Sequence, residues 1–355
     1  MVLHPATPPE LSFRARKILY AVVSDYITTG EPVGSRRIAK RYGINLSPAT
    51  IRNVLADLTD AGVLAQPHTS AGRVPTERGF RLFVDALMQM REVTSEDRAA
   101  VLERMRELRP GIDDLVREVG AVLASMTGVA AVVTRPRADT APLSQIRFMD
   151  LRPGELLAVV IGERGTIQNR VITTDAPIGA SELERLNNYL AAKVPGRTLA
   201  EVRRLLATEV DTERELRDRA ATMIASATED GAPADIVIEG RTHLFDRPEF
   251  SDSDTIRRFL RAFDEKERLI GLLDQTLAAG GVQVLIGSET TIEDVPDMSV
   301  ISAGYKLRGV TAGTVGVIGP TRMDYGKLVP LVGFTAQVIS AVLDGSPPDR
   351  DEDDS

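Results

Sequence analysis

Arg52 and Asn53 stand side by side near the start of a short amphipathic segment. An arginine guanidinium can donate two hydrogen bonds to guanine, and an asparagine amide can form two with adenine. Thr50 precedes them and carries a hydroxyl that can donate or accept. The chemistry that Thr50, Arg52 and Asn53 offer together is therefore hydrogen bonding to base edges in a DNA groove.

An apolar stripe in the same segment predicts which way these side chains point. Ser47 and Pro48 predict a helix start, with Ser47 as the N-cap and Pro48 at the first helical position. On a helical wheel Asn53 lies almost opposite the stripe, and Thr50 and Arg52 flank it. The stripe recurs at helical spacing and comprises Ile51, Val54, Leu55 and Leu58.

A basic segment precedes this helix and predicts a second, shorter one. The shorter helix is expected from about residue 35 to 42, with Ser35 as its cap and Gly43 at its end. In a helix-turn-helix the third helix enters the major groove while the second crosses the DNA backbone. The alternative for the basic residues is a solvated helix face. The candidates for contact with DNA phosphates are Ser35, Arg36, Arg37, Lys40, Arg41 and the helix-start residue Ser47.

A small hairpin is predicted after the helix that begins at Ser47 and Pro48. A short extended piece at 63–66 and a return at Arg73 enclose a glycine-containing tip. Such a tip can reach the DNA backbone or the minor groove, where arginine is favoured. The alternative is an exposed turn without contacts. The tip candidates are His68, Thr69, Ser70, Gly72 and Arg73.

Two flanking helices complete the N-terminal pattern. Residues 12–29 show helical spacing of apolar positions and stop at Gly30, and Thr76 is placed to cap a helix that carries Phe80 and Phe83. Three helices, a hairpin and a closing helix predict a winged helix-turn-helix.

The remaining chain mixes strands and helices and predicts an α+β body. Two helices over 93–126 are broken at Pro110-Gly111, and a long helix is expected at about 254–279 and a final one at about 324–343, the latter packed on the sheet. Capping boxes at Ser181…Glu184, Thr198…Glu201 and Thr212…Glu215 predict three helix starts. Strands are expected at 129–134, 144–151, 156–161, 166–173, 235–239, 282–286, 299–305 and 314–318.

Composition narrows the functional classes. The chain has 355 residues, no cysteine and three separated histidines, so we expect no cofactor, no metal centre and no thiol chemistry. Up to Glu92 there are 12 Lys and Arg against 8 Asp and Glu, whereas the remainder has 31 against 43. A basic end on an acidic body favours contact with phosphates at one end only. The first eleven residues lack the apolar core of a signal peptide, and the apolar runs are short, so a cytoplasmic protein is expected.

Two other functional classes remain as alternatives. An enzyme would use the glycine run Gly313-x-x-Gly316-x-x-Gly319 as a phosphate loop, but the run lacks the G-K-[ST] ending of that motif, and a strand end is favoured. A regulator gated by a small ligand would hold that ligand in a pocket beside the sheet of the body.

Several long strings resemble the heat-inducible transcription repressor family HrcA. The resemblance runs in order through nearly the whole chain. The strings are Pro32-Val33-Gly34-Ser35-Arg36, Ser47-Pro48-Ala49-Thr50-Ile51-Arg52-Asn53, the stretch from Gln66 to Thr76, Pro248-Glu249-Phe250 and the stretch from Gly316 to Tyr325.

This resemblance implies a fold and partners that the residues alone do not show. It implies a repressor of chaperone operons that binds the inverted-repeat operator CIRCE as a homodimer, with the GroE chaperonin keeping it active. It also implies a GAF-like body with an inserted dimerising region. The expected boundaries are 1–92 for the winged helix, 93–126 for a helical connector, 127–174 and 236–345 for the GAF-like domain, 175–235 for the insertion and 346–355 for a disordered acidic tail.

Overall fold

The computed structural model describes most of the chain. The predictions for Ser70, the first ten residues, the break at 110–111, the capping box at Thr212 and the tail at 346–355 lie outside the described residues. The described residues are 11–69, 71–88, 92–106, 112–136, 142–163, 167–174, 176–208, 214–228, 236–290, 292, 295 and 297–345.

Residues 11–88, which we term the head, contain helices and one small sheet. Strands β1 and β2 pair antiparallel, with Leu64 opposite Pro75. This order of elements is the one predicted from the sequence. The elements are α1 (Phe13–Thr29), α2 (Ser35–Arg41), α3 (Pro48–Asp60), β1 (Leu64–Ala65), β2 (Val74–Pro75) and α4 (Glu77–Leu87).

Local capping explains where the head helices begin and end. Ser47 accepts from the Thr50 amide at the start of α3, and Thr76 accepts from the Gly79 amide at the start of α4. Gly30 ends α1 with a φ of +71°, a left-handed conformation that glycine adopts without steric cost. The cap predicted at Ser35 is wrong, because the N-cap of α2 is Gly34 and Ser35 is buried as the first helical residue.

Two helices lead from the head into the second part of the chain. They confirm the predicted helical pair between the head and the first long strand. These elements are α5 (Ser95–Arg106), α6 (Ile112–Thr127) and the strand β3 (Ala130–Thr134).

Residues 142–228, which we term the side unit, form a separate antiparallel sheet covered by helices. The strand order is β6-β5-β4-β7. The Thr198…Glu201 box is confirmed by both reciprocal hydrogen bonds, whereas α7 begins after Gly179 and not at Ser181. The elements are β4 (Pro142–Arg152), β5 (Glu155–Gly162), β6 (Ile167–Thr173), α7 (Ala180–Lys193), β7 (Arg197–Thr198), α8 (Leu199–Thr208) and α9 (Arg214–Thr228).

This sheet departs from the expected grouping of the strands. Sequence reasoning placed residues 127–174 in one sheet, but β4, β5 and β6 do not join β3. Both edges of β3 are occupied by strands from the last third of the chain, so no edge remains for β4. The first three strands of the side unit instead cover α7–α9 and share a core with them that includes Phe148, Ile172 and Leu190.

Residues 92–136 and 236–345, which we term the body, surround a five-stranded antiparallel sheet of order β8-β3-β11-β10-β9. The long helix predicted at 254–279 is two helices, because the backbone of Glu265 leaves the helical conformation at ψ +61°. Two 3-10 turns, Arg241–Asp246 and Pro248–Phe250, follow β8. The elements are β8 (Ile236–Glu239), α10 (Ser253–Asp264), α11 (Lys266–Ala279), β9 (Val282–Ile286), β10 (Met298–Leu307), β11 (Val310–Pro320) and α12 (Tyr325–Asp344).

Helix α12 supplies much of the core of the body. Among the described helices it alone is long and apolar enough to cross a membrane by length and composition. Its residues Leu328, Val332 and Ile339 are buried, and its Ser340 hydroxyl accepts from the Lys306 amide in β10. Packing on the sheet therefore accounts for its apolar surface, as the sequence predicted. Buried residues of the head and body form one continuous cluster, whereas the side unit has its own.

Candidate nucleic-acid interface

Helix α3 presents one apolar and one polar face. Ile51, Leu55 and Leu58 are buried in the head, while Arg52 and Asn53 are exposed. The outward direction predicted for these two side chains therefore matches the structure. Their contact with bases stays a prediction.

Thr50 and Ser47 are engaged with each other at the start of α3. Their hydroxyl oxygens are 2.9 Å apart, and the Ser47 hydroxyl also accepts from the Thr50 amide at 3.1 Å. Thr50 is half-buried. Ser47 is thus the cap that sequence reasoning favoured, and Thr50 has one of its hydrogen-bonding positions already occupied.

A buried carboxylate organises the basic helix α2. Asp25 of α1 is fully buried, and its two oxygens lie 2.7 Å from Arg37 Nε and 2.8 Å from Arg41 Nη1. Burial works against the charge on Arg37, but its hydrogen bond with Glu31 and the nearby Asp25 carboxylate outweigh burial and raise the pKa of Arg37 above its usual value. Burial and the Asp25 charge likewise raise the pKa of Tyr42, whose hydroxyl donates to Asp25.

Asp25 is a site residue that sequence reasoning missed. It lies on the buried side of α1, between Val22 and Tyr26, where an isolated carboxylate is expensive unless it is paired. An acidic residue on an otherwise apolar face, followed by a basic helix, was the available signal. Pairing with Asp25 ties Arg37 and Arg41 to the fold of the head. Their contact with DNA phosphates stays a prediction.

Arg36 and Lys40 are the two basic residues of α2 that do not pair with Asp25. Both are exposed, and neither forms an ion pair with another residue in the described part of the chain. Ser35, in contrast, is buried. Burial therefore disfavours the predicted contact of the Ser35 hydroxyl with a DNA phosphate, and that contact stays a prediction.

The hairpin tip is held by a glutamine that sequence reasoning did not select. The Gln66 amide donates to the carbonyl oxygens of Thr69, at 2.8 Å, and Ala71, at 3.2 Å. His68 and Thr69 are exposed at this tip. These two hydrogen bonds from Gln66 close the loop, and the side chains of His68 and Thr69 lie on the surface.

Gly72 and Arg73 contact the head itself. A Cβ on Gly72 would lie 2.5 Å from the carbonyl carbon of Val33, so glycine is required here by close approach of two backbone segments. Arg73 exchanges two backbone hydrogen bonds with Val33, and its guanidinium donates to the Thr59 hydroxyl at 2.8 Å. This packing on the loop before α2 explains the glycine at position 72, and a contact of Gly72 with DNA stays a prediction.

The glycine run considered as a phosphate loop lies inside strand β11. A Cβ on Gly313 would meet the Tyr305 hydroxyl at 2.3 Å, and one on Gly316 would meet the Ile301 carbonyl oxygen at 2.5 Å. These glycines are therefore explained by the packing of β11 against β10. Among the described residues no cluster of three or more His, Asp or Glu is arranged to hold a metal ion.

Comparison with known proteins shows which protein family this chain is similar to. Residues 113–329 match the family model described as the HrcA protein C terminal domain. The chain is 47% identical over 340 residues to the heat-inducible transcription repressor HrcA of Sorangium cellulosum (strain So ce56), covering 94% of this chain and 98% of that protein. It is 40% identical over 339 residues to the protein of the same name in Geobacter sulfurreducens, covering 95% of this chain and 99% of that protein.

A solved structure shares the fold. The crystal structure of a hypothetical protein superposes with a TM-score of 0.63 at 23% sequence identity and covers 95% of this chain and 99% of that chain. This likeness concerns the fold only.

Proposed function

The chain belongs to the HrcA family of heat-inducible transcription repressors, and on that premise we propose that its head binds operator DNA through α3. Membership makes it a negative regulator of heat-shock gene transcription and not an enzyme. The observation that carries the proposed DNA contact is the exposure of Arg52 and Asn53 on a helix whose other face is buried in the head.

The head is proposed to act as a winged helix-turn-helix. Helix α3 enters the major groove with Arg52 and Asn53 near base edges, and Thr50 beside them. The hairpin tip, with His68, Thr69 and Ser70, serves as the wing. The order of α1–α3, the β1–β2 pair and α4 supports this assignment.

Charge at the start of α3 supports the same orientation. Arg36 and Lys40 are exposed on α2 and Arg52 lies in the first turns of α3, whereas the exposed carboxylates Asp57 and Asp60 lie at the other end of α3. The N-terminus of a helix also favours an anion such as phosphate. DNA is therefore expected at the N-terminal end of α3, away from the two carboxylates.

A two-fold dimer is proposed to form through the side unit. The face of its sheet opposite α7–α9 carries exposed apolar side chains, including Ile167 at 66% and Val171 at 53% exposure. Val171 and Met149 lie opposite Leu157 on its two sides, so these residues form one row across three strands. A second copy covers this face in the proposal, because a two-fold dimer presents two heads to an inverted repeat.

The body and side unit are assigned accordingly. We take the body as the GAF-like domain and the side unit, about 142–228, as the inserted dimerising region. This replaces the expected start at residue 175, since β4–β6 share a core with α7–α9. The proposed operator is CIRCE, the proposed activating partner is the GroE chaperonin, and the proposed location is the cytoplasm.

The proposal is tested by binding to matched duplexes. Purified full-length protein is titrated, at fixed physiological salt, against a CIRCE inverted repeat and a shuffled duplex of the same length and composition. The cognate duplex is expected to bind tighter by on the order of 10³-fold or more. Equal affinity for both duplexes would contradict operator recognition. Repeating the titration across temperature, with and without purified GroE, tests the chaperonin proposal separately.

A further inference from the structure

Arg322 joins the head to the body through a single guanidinium group. Its Nε pairs with Glu249 of the body, and its Nη1 donates to the carbonyl oxygen of Ile27, near the end of α1, at 2.9 Å. The guanidinium carbon lies close to Gly30, where a Cβ would be only 3.3 Å away. The Arg322 side chain is 16% exposed, so this contact is largely shielded from water.

Arg247 fixes the segment that carries Glu249. Its guanidinium donates to the carbonyl oxygens of Gly128, at 3.1 Å, and Thr127, at 3.3 Å, at the end of α6. Burial lowers the pKa of Arg247, and the nearby Glu249 carboxylate, which acts in the opposite direction, only partly offsets it. The second oxygen of Glu249 is buried without a hydrogen-bond partner among the described residues. Among the described residues, Arg322 is therefore the hydrogen-bond donor to the Glu249 carboxylate.

A second polar contact holds helix α4 against the body. Glu77 accepts from the amide of Ser288 at 3.1 Å and from its hydroxyl at 2.6 Å. Arg81 pairs with Glu289 and donates to the Val284 carbonyl oxygen at 2.6 Å. Burial works against the charge on Arg81, but its bond to Glu289 outweighs burial and raises the pKa of Arg81.

These two attachments lie on different helices of the head. One holds the C-terminal end of α1 and the other holds α4, so together they resist rotation as well as separation. Hydrogen bonds and ion pairs are directional, which makes such a contact specific for one orientation. Arg52 and Asn53 stay exposed in this arrangement. The attachments therefore bear on the direction of α3 and not on its access to DNA.

We propose that Arg322, with Glu249, is a positioning residue that fixes the direction of the head and thereby sets the half-site spacing that a dimer accepts. The inference rests on the proposed two-fold binding of an inverted repeat. It also gives a role to two strings of the sequence, Pro248-Glu249-Phe250 and Gly316 to Tyr325, which the recognition helix and wing leave unexplained.

The first experiment varies the spacer of the inverted repeat. The spacer is changed one base pair at a time over one helical turn. The unaltered protein is expected to lose roughly 10²-fold in affinity when the half-sites are out of phase by about 5 base pairs, because both heads can then no longer engage together. The double variant Arg322→Met with Glu249→Gln removes both partners of the ion pair, so neither of the two is left as a buried unpaired charge. In this double variant the difference in affinity between in-phase and out-of-phase spacers is expected to be several-fold smaller. Its affinity for a single half-site is expected to stay the same.

Matched variants separate this role from general stability. Arg241→Met removes a guanidinium that pairs with Asp264 within the body at 3.6 Å, and its spacer profile is expected to keep its shape. Glu77→Gln weakens the second attachment at an exposed position and is expected to broaden the profile partly, even if the double variant folds poorly. If the double variant folds and its spacer profile equals that of the unaltered protein, the inference is overturned. If the double variant does not fold, a Glu77→Gln profile equal to that of the unaltered protein overturns it.

The second experiment does not depend on DNA. The chain has no cysteine, so spin labels at Asp60→Cys in the head and Glu267→Cys in the body report one distance. Labelled chains are diluted with excess unlabelled chains to suppress distances between copies. The distance distribution is expected to be narrow, and to broaden in the Arg322→Met with Glu249→Gln background. A narrow distribution in both backgrounds overturns the inference and leaves the proposed function intact, whereas an unaltered protein indifferent to spacing contradicts the proposed dimeric binding.

Discussion

At the scale of single residues, the sequence predicts direction better than it predicts contacts. The helical wheel of α3 places Arg52 and Asn53 outward because direction depends only on helix geometry and the apolar stripe. The pairing of Asp25 with Arg37 and Arg41 depends on how α1 meets α2, and no local pattern encodes that distance. The same holds for Arg73, whose guanidinium is engaged with Thr59.

Asn53 is expected to contribute to base recognition. Replacing Asn53 by Ala removes an exposed amide without disturbing the buried stripe, so binding to the operator should weaken by about 1–3 kcal/mol and binding to random DNA much less. Fluorescence anisotropy titrations of both duplexes measure this difference. Asn188→Ala, at an exposed position of α7, is the matched control. Equal losses on operator and random DNA would assign Asn53 to the DNA backbone instead.

Arg36 and Lys40 are expected to act through charge alone. Each replacement by Ala should weaken binding to all DNA sequences and reduce the slope of log affinity against log salt by about 1 for each phosphate that the side chain neutralises. Lys266→Ala, an exposed lysine on α11, should leave the slope unchanged. Arg41→Ala is a poorer probe, because it also leaves the buried Asp25 with one partner fewer. An unaltered slope in the Arg36 and Lys40 variants would place α2 away from the DNA backbone.

At the scale of elements, local signals predict most helices but leave some boundaries open. The Thr198…Glu201 box forms both of its bonds, since its two residues need only be three apart. Ser181 fails as a cap because α7 begins earlier, at Ala180, with the extended residue Gly179 as its N-cap. The split of the long helix at Glu265 carries no glycine or proline signal, so the helical spacing of apolar residues predicted one continuous helix there.

The hairpin is expected to depend on the absence of a side chain at Gly72. Gly72→Ala places a methyl group 2.5 Å from the backbone of Val33, so the hairpin or the loop before α2 must shift. Overpacking of this kind costs about 1–3 kcal/mol. Urea unfolding and operator titration of the purified variant should both show a loss. Gly271→Ala, at an exposed position of α11 where a Cβ would meet nothing within 4 Å, is the control, and equal stability of the two variants would contradict the close approach.

At the scale of the whole molecule, the division into sheets could not be read from the sequence. The strands of the side unit lie near their predicted positions, but the sequence grouped them with β3 in one domain, whereas they form a sheet of their own. Strand pairing joins residues far apart in the chain, as between Val132 of β3 and Gly316 of β11, and the alternation of apolar residues is alike in both sheets. Only the three-dimensional structure shows that α7–α9 are covered by β4–β6 and that the other described residues leave the opposite face of this sheet uncovered at Ile167 and Val171.

That uncovered face leads to a prediction about assembly. Val171→Asp puts a carboxylate at one end of the row formed with Leu157 and Met149, and two-fold symmetry would introduce it twice. Burying an unpaired ion costs on the order of several kcal/mol, so the variant should be monomeric at concentrations where the unaltered chain is a dimer. Analytical ultracentrifugation measures this directly, with Asn188→Asp on α7 as the control for added charge. Because Val171 is 53% exposed in a single chain, the substitution should leave the thermal stability of the monomer nearly unchanged. A folded Val171→Asp protein that still sediments as a dimer would place the two-fold contact on another surface, and operator binding by such a dimer would then show that the heads do not need this face to be brought together.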